Sequence, residues 1–205
     1  MQTQKLLILF VALVWSFDTF AQSAKAADDD TATGNYYVSR FEDDAEEGTN
    51  GEVDLANEDL DLGQLSGFES AAKIGIRFSG IRIPRGRKVE RAFLQFTMEG
   101  NRAKAKPTKL TIHAQLAPDA DAFKKEKKNV SSRRLTKASV TWSPAPWDPK
   151  RARDEKPQTP DLSALIQEVV DQEDWMQGNA LVLIIAGAGE RDAVSFDGGG
   201  KRDAP

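Results

Sequence analysis

The stretch KIGIRFSGIRIPRGRKVERAFLQFTM, residues 73–98, decides the fold. Ile74, Ile76 and Phe78 alternate with Gly75 and Arg77, and a period of two puts the apolar set on one face of a β-strand. Ile81 and Ile83 extend the pattern before Pro84-Arg85-Gly86-Arg87 turns the chain. Val89 to Met98 repeats it, with Ala92, Leu94, Phe96 and Met98 in an inner row and Phe93, Gln95 and Thr97 in an outer one. Half-buried strands in succession predict an antiparallel sheet with one wet face.

The same reading extends in both directions. Leu110, Ile112, Ala114 and Leu116 alternate against Thr111, His113 and Gln115, and Val140 to Ser143 is a short strand. Tyr36 to Phe41 has strand composition. Thr159-Pro160 predicts a helix start, with Thr159 as N-cap, Pro160 at the first helical position and Asp161 in the first turn. Leu162, Leu165, Ile166, Val169 and Val170 make its apolar stripe, and Gly178-Asn179 ends it. Leu181 to Ala188 (LVLIIAGA) is apolar throughout, so both faces of that strand should be covered. Val194 and Phe196 begin a last hairpin arm, and the basic stretch from Lys124 to Arg134, opening KKEKK, reads as a solvated loop. Short strands with turn signals plus one helix predict a mostly β protein, a jelly-roll β-sandwich with one packed α-helix near the C-terminus, over residues 35–205.

Composition narrows the chemistry. The 205 residues carry 28 Lys and Arg, 32 Asp and Glu, one His and no Cys. The net charge of −4 gives no electrostatic footprint for nucleic acid. Without Cys there is no disulfide framework, zinc–thiolate site, iron–sulfur cluster or thiol nucleophile. Residues 1–26 read as a secretory signal peptide: Lys5, an apolar run from Leu6 to Trp15, then Ala24-Lys25-Ala26 as a small-x-small cleavage pattern, with Ala21-Gln22-Ser23 as a second option. The run is shorter than the roughly 20 residues a spanning helix needs. An acidic leader, residues 27–34, follows. These features predict a protein secreted or held in the periplasm or at the cell surface.

Four stretches carry a resemblance. They are DDAEE with NEDLDLG, then IGIRFSGIRIPRGRKVERAFLQFT, then ASVTWSPAPW, and finally QTPDLSALIQEVVDQEDWMQGNALVLIIAGAGERDAVSFDG. Together they resemble secreted bacterial jelly-roll modules of the carbohydrate-binding-module-like, galactose-binding-like type, the DNRLRE type among them. The resemblance implies a non-catalytic module that binds glycans and accompanies hydrolases or surface proteins. Such modules continue past the final Gly-rich loop into another strand, whereas this sequence stops at Ala204-Pro205. A missing last strand would leave an open sheet edge, which invites pairing with another chain.

The candidate sites follow. Asp43-Asp44-Ala45-Glu46-Glu47 precedes Asp54, Glu58, Asp59 and Asp61, and hard cations such as calcium take roughly six to eight oxygens. Alternation puts Asp44 and Glu46 on one strand face, with Asp197 as the long-range partner if the two ends of the sandwich meet. Similar sandwiches hold a structural calcium in that way, so Asp44, Glu46 and Asp197 are the expected metal ligands. A sugar platform needs an exposed aromatic ring. Of Trp142, Trp147, Trp175, Tyr36 and Tyr37, Trp147 in its Pro-rich loop is the expected ligand-binding residue. His113, flanked by Thr111 and Gln115, reads as a surface histidine. No carboxylate pair is marked out for glycosidase chemistry, and Gly187-Ala188-Gly189 lacks the third Gly of a dinucleotide fingerprint. The expected function is an exported, non-catalytic module for extracellular or cell-surface glycans. The alternative is a structural or adhesive surface protein that assembles with a partner protein through an open sheet edge.

Overall fold

The computed structural model describes residues 34–63, 73–99, 107–148 and 156–205. The signal peptide read in residues 1–26 and all but the last residue of the leader 27–34 lie outside the described residues. Chain order is β1 (Asp44–Glu47), β2 (Val53–Asp54), β3 (Asp59–Leu62), β4 (Lys73–Phe78), β5 (Lys109–Ala114), β6 (Val140–Trp142), α1 (Ser163–Val170), β7 (Leu181–Ala188), β8 (Arg191–Val194) and the short α2 (Phe196–Gly199).

Six strands form an antiparallel sheet in the order β2-β1-β4-β7-β5-β6. β7 sits between β4 and β5, which explains its unbroken apolar run: Leu181, Leu183 and Ile185 enter the main core, while Val182 and Ile184 face a second apolar cluster on the other side. The opposing layer pairs β3 with β8. Segment 92–99 extends that layer through the N–H of Val194 to the carbonyl of Thr97 and the N–H of Glu99 to that of Asp192. On its far side the N–H of Phe96 reaches Pro157 and the N–H of Thr159 reaches Leu94. The protein is therefore mostly β, two antiparallel layers and a small helix near the C-terminus, with the chain crossing repeatedly between layers as a jelly roll requires.

The main core fills the space between layers. Ile74, Ile76, Leu110 and Ile112 come from the larger sheet, Leu60, Leu62, Leu94 and Phe96 from the other. Phe96 stacks on Trp142 at 5.5 Å between ring centroids. Leu94, Phe96 and Met98 of the expected inner row and the apolar stripe of α1 are buried as read from sequence, and Ala92 is partly buried.

Five local readings change. Residues 34–39 form no strand: Val38 is held by its N–H to the carbonyl of Pro205, and Phe41–Asp43 is a 3-10 turn. The first strand is the acidic Asp44–Glu47 instead, because each of its carboxylates finds a specific donor. Ile81 lies in a loop after Gly80, whose φ of 70° breaks the extended run, and bonds to Asn179 and Gly178. α1 begins at Ser163 rather than Pro160, since Thr159 is spent on the second layer and Asp161 accepts the N–H groups of Ser163 and Ala92. Phe196 opens α2, capped by the Ser195 hydroxyl accepting from Gly198, so β8 ends at Val194.

The outer face of the larger sheet is also not wet. Gly75 leaves a gap in β4 into which the Phe123 ring descends; a Cβ at residue 75 would lie 2.3 Å from its Cζ. Ala120, Phe123 and Val130 pack there on Ala45, Val182 and Ile184. The Arg133 guanidinium lies 4.2 Å from the centroid of the Phe123 ring and donates to the carbonyls of Asp121, Ala122 and Asn129. The basic stretch is thus anchored by two apolar plugs, while Lys124, Lys125, Lys127 and Lys128 stay exposed.

Candidate functional site

β1 organises the acidic end. Its alternation is as expected: Asp44 and Glu46 point to the second layer, Ala45 and Glu47 to the cover of the larger sheet. Glu47 Oε2 accepts the N–H groups of Val130 and Ser131 at 2.9 and 2.8 Å, and Asp43 pairs with Arg77 at 2.6 Å. Asp44 Oδ2 accepts the N–H of Phe196 at 2.8 Å, which brings the N-terminal acids to the C-terminal segment. Burial raises the Asp44 carboxyl to a pKa of about 7 against that bond, and the charges of Asp197 and Asp43 push the same way.

Glu46 crosses between layers. Its Oε1 accepts the N–H of Asp61 and its Oε2 the side-chain amide of Asn57, both at 2.6 Å. Burial again lifts the carboxyl to about 7, with the charges of Asp61 and Asp59 adding to it. Those two belong to a tighter group. Asp61 stands directly opposite Asp192 in the β3–β8 register, and Asp59 lies two residues before Asp61 on the same face. One ligand atom from each of Asp59, Asp61 and Asp192 lies within 4.8 Å of the others. Asp61 and Asp192 are buried, at 3% and 4% exposure. Like charges placed directly across a strand pair repel, and a cation held among the three would offset that repulsion. These three acids could hold a metal ion.

The expected ligand set is therefore split. Asp44 feels the charge of Asp197, while Glu46 accepts the N–H of Asp61 and feels the charges of Asp61 and Asp59. Asp59 and Asp61 were visible in the acidic segment, where Asp-Leu-Asp-Leu alternation marks a strand with one acidic face. Asp192 was not, because only the pairing of β3 with β8 brings it beside them.

The aromatics sort by burial. Trp147 is 9% exposed and belongs to the main core, so its face has no room for a sugar ring. Its loop is drawn inward by Arg191, which donates to the carbonyls of Pro144 and Ala145. Trp142 and Trp175 are buried too, Trp175 donating its indole N–H to the carbonyl of Ile83. Tyr36 is half-buried, its hydroxyl accepting the N–H of Arg82. Tyr37, at 46%, is the exposed ring among the five.

A pocket of about 180 Å³ opens over the outer face of the larger sheet. It is lined by Lys73, Thr111, His113, Ile184 and Ala186 of the sheet and by Val130, Ser131 and Leu135 of the cover, and its surface is mostly apolar. His113 is half-buried, with Nδ1 3.2 Å from the carbonyl of Thr136. A carbonyl only accepts, so this contact puts the proton on Nδ1 and leaves Nε2 as an acceptor in the neutral ring.

No helix among the described residues is long and apolar enough to cross a membrane. No family model matches the chain, and no curated protein matches it.

Proposed function

We propose that this protein is an exported, non-catalytic binding module for extracellular or cell-surface glycans, with calcium as a structural ion at its acidic end. The calcium part is carried by one observation: carboxylate oxygens of Asp59, Asp61 and Asp192 lie within 4.8 Å of one another on directly paired strands. Three carboxylates supply up to six oxygens, and calcium accepts mono- or bidentate carboxylates together with backbone carbonyls at its roughly six to eight positions. The ion would tie β3 to β8. The glycan part is supported by the two-layer antiparallel fold and by the exposed Tyr37 ring. The leader in residues 1–26 supports export.

Assembly through an open edge has less behind it. The outermost strands of the larger sheet, β2 and β6, are only two and three residues long, and short edge strands are how natural sheets avoid pairing with other chains.

Thermal unfolding in 5 mM calcium and in excess EDTA tests the ion, because a ligand of the native state raises the melting temperature by mass action. A rise of several degrees that is absent in Asp61→Asn and Asp192→Asn is the expected result. Equal melting temperatures in the two buffers would remove calcium from the reading. A glycan array run with the same protein tests the binding function, and an empty array would remove it.

A further inference from the structure

We infer that the pocket on the outer face of the larger sheet binds a sugar residue carrying an anionic group, within an acidic polysaccharide. This rests on the glycan reading above and names the ligand class.

The strand register builds the pocket. Lys73, Ala186 and Thr111 stand in one row across β4, β7 and β5, and Ile184 and His113 stand in the next. Ile184, Ala186, Val130 and Leu135 give a mostly apolar lining for the C–H face of a pyranose, with Thr111, Ser131 and His113 beside it for its hydroxyl groups. The volume of about 180 Å³ is below the roughly 300–1,000 Å³ of pockets for drug-sized ligands and suits one sugar ring.

Charge selects which sugar. Lys73 is exposed at the rim. Its register neighbour Glu47 is already committed to the N–H groups of Val130 and Ser131, so its carboxylate stays turned into the cover. The covering segment contributes Val130, Ser131 and Leu135 to the pocket and no cation, since Lys127 pairs with Glu52 and Arg133 is held over Phe123, so Lys73 is the cation that lines it. A lysine at the rim attracts anions and disfavours cationic ligands. A uronate carboxylate and a sulfate ester share this chemistry.

Calorimetric titration of the purified protein at fixed calcium decides it, with oligogalacturonate, its methyl ester, a sulfated galactan oligosaccharide and neutral galactan as probes. Expected is binding of the oligogalacturonate or the sulfated oligosaccharide, whichever carries the matching anion. The neutral counterpart should bind at least about tenfold more weakly, and Lys73→Gln should weaken the anionic ligand about tenfold with an unchanged melting temperature. Thr111→Val is the second variant, expected to weaken binding without loss of charge selectivity. Equal affinity for neutral and anionic probes, or wild-type affinity in Lys73→Gln, overturns the inference and leaves the glycan function standing. Failure of every glycan overturns both, as does binding confined to phosphatidylglycerol vesicles titrated alongside them, which would point to a membrane surface.

Discussion

Replacing Gly75 by Ala should destabilise the protein in one background and stabilise it in another. The added Cβ would meet the Phe123 ring at 2.3 Å, inside any tolerated contact, and the ring is buried under the Arg133 guanidinium. Overpacking of this kind costs about 1–3 kcal/mol. Against it stands the gain from removing a strand-interior Gly, about 0.5–1 kcal/mol. The net loss expected for Gly75→Ala is therefore about 1–2 kcal/mol. In a Phe123→Ala background the clash is gone and only the gain remains, so the same substitution should raise stability by about 0.5–1 kcal/mol. The coupling between the two sites is then about 1.5–3 kcal/mol, in the upper range for residues in contact. Urea unfolding of the four proteins measures it through midpoints at constant slope. Additive midpoint shifts would refute the packing of Phe123 on Gly75, and with it the anchoring of the cover that walls the pocket.

Asp44 gives a pH signature. Its carboxyl is raised to about 7 from an unfolded value near 3.8, so the folded state binds the proton more tightly. The stability this contributes is complete below about pH 4 and is lost as the pH rises toward 7. Asp44→Asn keeps an acceptor for the Phe196 N–H and removes the ionisation; its advantage over wild type in urea midpoint, measured in EDTA, should grow between pH 4 and 7, and a pH-independent difference would contradict the burial of this acid. Glu47→Ala strips the acceptor from two N–H groups and should cost about 2–4 kcal/mol, whereas Glu47→Gln, which can still accept, should cost less; equal losses by thermal unfolding would contradict the assignment. Thr159→Val leaves the Leu94 N–H without its side-chain acceptor and should cost about 1–3 kcal/mol with helical circular dichroism unchanged. A loss of helical signal would restore Thr159 as a helix cap.

The readable parts of this fold were those where apolar periodicity sets the pairing. β4, β5, β7 and the buried stripe of α1 follow from Ile, Leu, Val and Phe spacing alone, and the sandwich follows from them. β1 was harder, because four carboxylates in five residues look like a solvated loop. Asp44 depends on a donor 152 positions along the chain, and no local pattern announces that. Likewise the charge of the Lys124–Arg134 stretch hides Val130, while Phe123, one residue before it, gives no periodic signal. The Pro-rich setting of Trp147 suggested an exposed ring, but Arg191 holds the carbonyls of that loop against β8. The three acids that could hold a metal ion needed the β3–β8 register, which fixes Asp61 against Asp192 across more than half the sequence.

The central position of β7 also has a consequence for synthesis. β4 and β5 have no hydrogen bonds to each other; each is joined to the sheet's interior through residues 181–188. When a ribosome has made the first 150 or so residues, the two strands still lack the partner that lies between them, and their pairing must wait for a segment that closes loops of about 70–110 residues. The nascent chain should stay protease-sensitive until residues 181–188 emerge, and folding should then proceed slowly. That delay suits the export proposed above, which requires a chain that is still threadable.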